Sequence, residues 1–180
     1  MVIERGGLTT TIGADAWVNA ANTELKEGGG VCGAIFAEAR KNGGADELTR
    51  ECSAQAPVAV GQCVATRGCR APVKYIIHAV GPKWQDHQKE EGIRLLSDVY
   101  ENAMATAARL KVNHLALAGI GNGLYGWPER LVARVAITEI ISALTTTHTT
   151  VTKVTFRCFT DSWRAALAGE LKADVAVIDW

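Results

Sequence analysis

Two asparagines and a run of glycines form the stretch of this sequence that is best equipped for chemistry. Asn19 and Asn22 lie three positions apart at the end of a short apolar run, and Gly28, Gly29 and Gly30 follow them. An amide side chain both donates and accepts hydrogen bonds, and consecutive glycines let the backbone approach a ligand closely. The stretch therefore predicts a ligand site built from amide side chains and backbone N–H groups.

The elements around this stretch predict how it is positioned. The apolar run Ala16–Val18 is typical of a buried strand, and good helix formers run from about Cys32 to Arg40. A glycine loop between a strand and a helix N-terminus presents backbone N–H groups to phosphate. We therefore expect a phosphate-binding loop that carries the two asparagines at the carboxyl end of a strand.

A second glycine loop follows another predicted strand, Asn113–Ala118. Gly121–Gly126 reads G-N-G-L-Y-G and precedes a predicted helix, so it satisfies the G-x-G-x-x-G pattern of dinucleotide-binding domains. That pattern also requires an acidic residue at the end of the next strand, about twenty residues on. Glu139 falls inside a predicted helix instead, and no G-K-[ST] phosphate loop exists in the chain. A nucleotide-dependent oxidoreductase is therefore the least favoured of the functions considered.

Strand and helix patterns alternate along the whole chain. Apolar runs predict strands at Val2–Ile3, Val60–Thr66, Val73–Val80, Val151–Phe159 and, as a last strand, Asp174–Ile178. Apolar residues that recur every three or four positions predict helices near 46–52, 90–110, 129–144 and 161–171. We therefore expect a single domain over residues 1–180 of the α/β class, a three-layer α/β/α sandwich around a mixed, mostly parallel sheet.

Composition limits the partners of the domain. Nineteen basic and nineteen acidic residues give a net charge of zero, so no overall field attracts nucleic acid or anionic lipid. Five scattered cysteines and four histidines show no metal-ligand spacing. No apolar run approaches twenty residues, and no secretory leader pattern opens the chain. We therefore expect a cytoplasmic monomer that has no metal, no cofactor and no membrane contact.

His78 is the histidine that invites a catalytic interpretation. It stands alone inside the apolar run Val73–Val80, where a histidine is more often a hydrogen-bonded core residue. We expect the core role.

Several motifs in order resemble those of the macrodomains, a family of ADP-ribose-binding modules found in viral replicases and in cellular proteins. They are V-N-A-A-N at Val18–Asn22, G-G-G-V-C-G-A-I at Gly28–Ile35, I-I-H-A-V-G-P-K-W at Ile76–Trp84, the loop Gly121–Gly126 and C-F-T-D-S-W at Cys158–Trp163. Cys32 replaces the aspartate of many cellular hydrolases of the family. Cys32 and the spacing around Phe159 together resemble the replicase macrodomains of alphavirus-like positive-strand RNA viruses. A viral protein of this kind would be located in the host cytoplasm.

The resemblance implies a set of site residues. Asn22 would hydrogen-bond the distal ribose, Asn19 would hold the loop or the same sugar, and Gly30 would help to orient a water molecule. These three are the expected catalytic residues. The ADP-ribose contacts implied are Gly7, Leu8, Asn19, Asn22, Gly29, Gly30, Val31, Cys32, Gly33, Ile120, Gly121, Asn122, Gly123, Leu124, Tyr125 and Phe159.

Gly7 and Phe159 are the two positions that bear on adenine recognition. Gly7 stands where the family usually has an aspartate that binds the adenine amino group, so adenine recognition would fall to the Leu8 backbone N–H and other contacts. Phe159 occupies the position of an aromatic residue that often packs on adenine. Core packing is the alternative for Phe159 and for Trp163.

The resemblance leaves two main functions open. The first is an enzyme that hydrolyses mono-ADP-ribose from acidic side chains of proteins, and also ADP-ribose 1''-phosphate, with a positioned water whose proton passes to a substrate phosphate. The second is a module that reads ADP-ribose without turnover. In both, the partners are ADP-ribose and mono-ADP-ribosylated proteins, and weak binding of poly-ADP-ribose or RNA is a further expectation.

Overall fold

The computed structural model describes residues 1–146 and 149–178. Six strands are β1 (Val2–Arg5), β2 (Ala16–Ala21), β3 (Cys63–Arg67), β4 (Tyr75–Val80), β5 (His114–Leu117) and β6 (Lys153–Cys158). The α-helices are α1 (Gly30–Lys41), α2 (Ala45–Ser53), α3 (Lys89–Arg109), α4 (Glu129–Thr146) and α5 (Asp161–Ile178). A short 3₁₀ helix occupies Leu8–Thr10.

The strands form one mixed sheet in the order β1-β6-β5-β2-β4-β3. All neighbouring pairs are parallel except β3 and β4, which are antiparallel at one edge. Each face of the sheet packs on its own apolar cluster. In β2, Ala16 and Val18 join the cluster that includes α3 and α4, whereas Trp17 joins the cluster that includes α1 and α2. The predicted three-layer sandwich is therefore confirmed, because successive side chains of a strand point to opposite faces.

Most of the predicted elements exist with shifted ends, but the predicted last strand is wrong. Residues 174–178 continue α5 as helix. Their apolar V-A-V-I pattern suggested a strand, yet no glycine or proline separates them from the helical residues before Asp174. A helix without a stop signal can continue, and here it does.

The sheet places the two glycine loops side by side. β2 and β5 are parallel neighbours in which Trp17 lies opposite Ala116, so the loops that follow them leave the same edge of the sheet. Asp15 fixes this pairing, since its carboxylate accepts hydrogen bonds from the N–H groups of Asn113 and His114 at 3.0 and 2.9 Å. A hydrogen bond from Lys74, followed by these N–H groups, lowers the pKa of Asp15 to about 2. The carboxylate is therefore charged at neutral pH, which strengthens these contacts.

Among residues 1–146 and 149–178, no helix combines the length and the apolar character that crossing a membrane requires.

Candidate ligand-binding site

The first loop is shaped by Asn22. Its Nδ2 donates to the Lys26 carbonyl at 2.8 Å, and its Oδ1 accepts from the Lys26 N–H at 3.1 Å. Each of these atoms can form one more hydrogen bond, because an amide has two N–H donors and an oxygen with two lone pairs. Asn22 is half-buried. It therefore holds the turn and keeps capacity for a ligand.

Asn19 lies behind the same loop and is only 1% exposed. Its Nδ2 contacts the Cys32 Sγ at 3.6 Å and the His78 Nδ1 at 3.1 Å. The Cys32 thiol also donates to the Lys26 carbonyl at 3.7 Å. Asn19 thus ties the end of β2 to the first turn of α1. Holding the loop was one of the two roles expected of it, and contact with the distal ribose stays a prediction.

The thiol of Cys32 is a poor nucleophile in this environment. Burial raises its pKa, and the hydrogen bonds from the Gly28 N–H and Asn19 offset that effect only in part. A thiol must lose its proton to attack a substrate. Among residues 1–146 and 149–178, its hydrogen-bond partners are the Asn19 amide nitrogen, the Gly28 N–H and the Lys26 carbonyl, and none of these is a base that could take its proton. Cys32 therefore packs beneath the loop as a thiol.

The N-terminus of α1 is open at the loop. Gly29 is its N-cap and supplies no side-chain hydrogen bond, and Gly30 begins the helix at φ +59°, a conformation that favours glycine. The first N–H groups of a helix have no partner within it. Val31, in the first turn of the helix, is half-buried. Gly33 packs closely against the loop, because a Cβ on Gly33 would lie 2.7 Å from the Gly28 carbonyl oxygen. These uncapped N–H groups can bind an anion.

The second loop is supported from below by aromatic side chains. The Ile120 N–H donates to the Tyr100 hydroxyl at 3.0 Å, so this N–H is occupied and the Ile120 side chain is buried. Trp127 donates from Nε1 to the Pro82 carbonyl at 2.9 Å and packs edge-on against Trp84 with ring centroids 4.7 Å apart. These contacts hold the loop rigidly above the sheet.

The backbone of the second loop presents free N–H groups. The Trp127 N–H binds the Gly121 carbonyl at 3.1 Å, and Gly121 takes φ +94°, so the chain turns sharply at the base of the loop. The side-chain amide of Asn122 folds back onto Gly119. Its Oδ1 lies 2.1 Å from the position that a Cβ on Gly119 would occupy. Within the described part of the chain, the N–H groups of Gly123, Leu124 and Tyr125 donate to no protein group. They form a second set of donors that can bind an anion.

The two loops face each other beyond the carboxyl ends of the neighbouring strands β2 and β5. The Leu124 Cδ1 lies 3.2 Å from the position of a Cβ on Gly29. The Tyr125 hydroxyl reaches the carbonyl of Ala21, the last residue of β2, at 3.5 Å. Leu124 is nevertheless 83% exposed. A cleft with backbone donors on both walls and an exposed leucine at its rim therefore lies where open α/β sheets bind ligands.

The residues predicted to meet adenine follow the strands β1 and β6, on the β5 side of the sheet. The Gly6 N–H donates to the Cys158 carbonyl at 2.9 Å, so Gly7 and Phe159 follow the carboxyl ends of the neighbouring parallel strands β1 and β6. Phe159 is 85% exposed, which excludes core packing for its ring. The Leu8 side chain is buried against the cluster that contains α1, so only its backbone could reach a ligand. Trp163, in contrast, is a core residue in edge contact with Phe156.

Two other polar clusters lie outside this cleft. Glu47, Glu51 and Cys69 bring their potential metal-ligand atoms within 4.8 Å of one another, but both carboxylates are paired with Arg67. A cavity of about 230 Å³ is lined by Glu4, Thr10, Thr11, Ile12, His114, Lys153, Thr155 and Arg157. The Arg157 guanidinium there is bonded to Glu4, Thr10 and Gly7. Internal pairing satisfies these charges, so neither cluster is assigned a ligand.

Sequence reasoning missed the residues that support the cleft from below. Tyr100, which bonds the Ile120 N–H, lies on α3. Thr66, whose Oγ1 lies 3.0 Å from Nε2 of the buried His78, lies on β3. Both are many positions away from the loops in the sequence. The sequence signal that could have found this support is the tryptophan in each glycine-rich or proline-rich stretch, Trp84 and Trp127. A tryptophan is unusual in an exposed loop, so its presence indicates that the loop packs on the core. His78 is confirmed as a buried core residue.

The fold and the two facing loops define an α/β domain with a candidate ligand site at the carboxyl edge of its sheet. The sequence pattern of the Macro domain family matches residues 18–136. This chain therefore belongs to the Macro domain family.

Individual relatives support the same assignment. A Macro domain-containing protein of Lactiplantibacillus plantarum is 36% identical over 167 residues, which cover 93% of this chain and 94% of that protein. An O-acetyl-ADP-ribose deacetylase of an Enterobacter species is 38% identical over 143 residues, covering 77% and 76%. A variant of the Oceanobacillus iheyensis macrodomain solved with ADPR aligns with a TM-score of 0.86 and 28% identity over 97% of this chain and 92% of that one.

These relatives are bacterial, and none is a viral replicase. The leaning toward alphavirus-like replicases, which depended on Cys32 and the spacing around Phe159, finds no support in them. The family assignment itself does not depend on it.

Proposed function

We propose that this chain binds ADP-ribose and hydrolyses an ester at its distal ribose, with mono-ADP-ribose on acidic protein side chains as the substrate. The observation that carries the proposal is the pair of facing glycine loops at the ends of β2 and β5, with free N–H groups on the second loop. Backbone donors on both walls suit a diphosphate, and they let a domain of zero net charge hold a dianion. The relatives named O-acetyl-ADP-ribose deacetylase support ester hydrolysis, since their named substrate is also an ester of ADP-ribose.

The chemistry of the proposal needs no charged protein base. A water held near Gly30 attacks the anomeric carbon, its proton passes to a substrate phosphate, and the carboxylate of the modified side chain leaves. Asn22 is in the same loop, with its Nδ2 3.7 Å from the position of a Cβ on Gly28, and it keeps one donor and one acceptor free. Its part is to fix the distal ribose so that the water and the reacting carbon meet in a productive geometry. ADP-ribose 1''-phosphate would be cleaved at the same carbon.

A reader without turnover is the second candidate, and one observation favours it. Cys32 stays protonated behind the loop and His78 is neutral in the core, so neither supplies a base to the cleft. Incubation with a protein mono-ADP-ribosylated on an acidic residue separates the two candidates. Release of ADP-ribose at a rate that depends on enzyme concentration supports the hydrolase, whereas tight binding without release supports the reader.

We expect ADP-ribose to bind more tightly than AMP. AMP lacks the second phosphate and the distal ribose, so it cannot engage both glycine loops. Calorimetric titration of the two ligands under one salt condition measures the difference. Equal affinities would contradict a cleft in which the two loops share one diphosphate.

We expect Gly7→Asp to raise the affinity for ADP-ribose by up to about tenfold, the worth of one hydrogen bond to a charged acceptor. The site tolerates the side chain, because a Cβ on Gly7 would meet no atom within 4 Å and its backbone is extended at φ −76° and ψ 153°. The same titration with ribose 5-phosphate, which has no adenine, is the control and should show no gain. An unchanged affinity for ADP-ribose would mean that Gly7 does not face adenine.

A further inference from the structure

A chain of three buried polar side chains runs from the cleft into the core. Asn19 Nδ2 lies 3.1 Å from His78 Nδ1, and His78 Nε2 lies 3.0 Å from Thr66 Oγ1. The exposed fractions of the three residues are 1%, 0% and 3%. Asn19 is the end nearest the cleft, where it also contacts Cys32 in the first turn of α1. Buried polar groups of this kind hold one another in fixed orientations.

The protonation of His78 decides how Asn19 is oriented. Burial lowers the pKa of His78 to about 4, so its ring is neutral at pH 7 and carries one N–H. If the N–H is on Nε2 it donates to Thr66, and the bare Nδ1 accepts from the Asn19 amide nitrogen. The Asn19 amide is then fixed, with its nitrogen toward His78 and Cys32 and its oxygen turned away from both.

The oxygen that this arrangement turns away has no partner. Asn19 Oδ1 is buried and, in the part of the chain that the structure describes, makes no hydrogen bond. An unsatisfied buried acceptor costs about 1–3 kcal/mol, and such atoms call for an explanation. The Asn19 side chain packs beneath the first glycine loop, to which it is linked through Cys32 and the Lys26 carbonyl. A ligand held by that loop is therefore the nearest source of a donor from outside the protein.

We infer that His78 is a positioning residue that keeps Asn19 Oδ1 bare to accept a hydrogen bond from an O–H donor at the distal-ribose end of the cleft. The donor is a ribose hydroxyl, directly or through one water. The inference depends on the proposed binding of ADP-ribose. It assigns the ribose contact of Asn19 to the Oδ1 atom. It assigns the orientation of that atom to the contacts of His78 with Asn19 and Thr66.

Thr66 offers a test that leaves both Asn19 and the cleft intact. Thr66→Val keeps the shape of the side chain and removes the oxygen that accepts the Nε2 proton. Only the Cys52 Sγ, a weak acceptor at 3.7 Å, then remains beside Nε2 among the described residues, so the proton can move to Nδ1 and the Asn19 amide can turn over. Thr66→Ser keeps the hydroxyl and is the matched control. Nitrogen NMR of the labelled His78 ring shows which nitrogen carries the proton, and titrations with ADP-ribose and with ADP, which lacks the distal ribose, measure binding.

We expect the Nε2–H form in the wild type and in Thr66→Ser, and a shift toward the Nδ1–H form in Thr66→Val. Thr66→Val should lose about tenfold in affinity for ADP-ribose, the size of one hydrogen bond, and less than about twofold for ADP. Thr66→Ser should match the wild type for both ligands. A purely structural role would lower the melting temperature of Thr66→Val without separating the two ligands.

Three results would overturn the inference. An Nδ1–H form in the wild type would place the Asn19 oxygen toward His78 instead of the cleft. Equal losses of ADP-ribose and ADP affinity in Thr66→Val, or no loss of either, would remove the link to the distal ribose while leaving the proposed function intact. A wild-type protein that binds neither ligand would overturn the proposed function, and this inference with it.

Discussion

Asn22→Ala is expected to lower the rate of ADP-ribose release by about 10²-fold or more. The amide has one donor and one acceptor left after its bonds to Lys26, so it can hold the distal ribose as the bond breaks. Loss of one such preorganised contact costs about 2.7 kcal/mol in the transition state. The affinity for ADP-ribose should change less, because the diphosphate contacts remain. Single-turnover rates and calorimetric titrations give the two quantities separately.

Asn42→Ala is the matched control for this prediction. The Asn42 amide also bonds a backbone carbonyl, that of Glu38 at 3.0 Å, but it lies at the far end of α1. Its removal should leave the release of ADP-ribose unchanged.

Cys32→Ala decides between a positioned water and a thiol nucleophile. Burial raises the pKa of the thiol, so we expect the variant to keep its activity within about tenfold of the wild type. If Cys32→Ala abolishes turnover and Asn22→Ala spares it, the water mechanism is wrong and covalent thiol chemistry replaces it.

Gly33→Ala is expected to reduce turnover by about 10²-fold through the geometry of the first loop. The added Cβ would lie 2.7 Å from the Gly28 carbonyl oxygen, and backbone atoms cannot yield as a flexible side chain can. The loop between Gly28 and Gly30 must therefore shift, and a displacement of about 1 Å at a reacting site is enough for such a loss. Rates of ADP-ribose release, measured beside circular dichroism to check folding, test the expectation.

Gly169→Ala gives the corresponding control in a helix far from the cleft. A Cβ there would meet no atom within 4 Å, so the variant should gain stability by up to about 1 kcal/mol from helix propensity alone. Activity should stay at the wild-type level. Gly33→Ala with normal turnover would show that the loop near Gly28 can move without effect on the chemistry.

Much of the candidate site could be predicted from the sequence because it is built from backbone in local stretches. The turn after β2 and the loop after β5 each lie within about ten residues, and their glycines mark where the chain must turn or approach a ligand. The alternation of strand and helix patterns predicted the three layers for the same reason, since periodicity is a local property. The last strand was predicted wrongly where the local pattern was ambiguous, and those residues instead extend α5.

The sequence by itself determined the class of fold, the two glycine loops and the uncharged character of the residues proposed to contact the ligand. Only the tertiary structure decided that Leu124 stands over Gly29, that Tyr100 occupies the Ile120 N–H, and that Asn19, His78 and Thr66 are in buried polar contact with one another. These contacts join residues on different strands and helices, so no spacing along the chain encodes them. They arise because the parallel pairing of β2 with β4 and β5 brings distant side chains within hydrogen-bond distance in a core that excludes water.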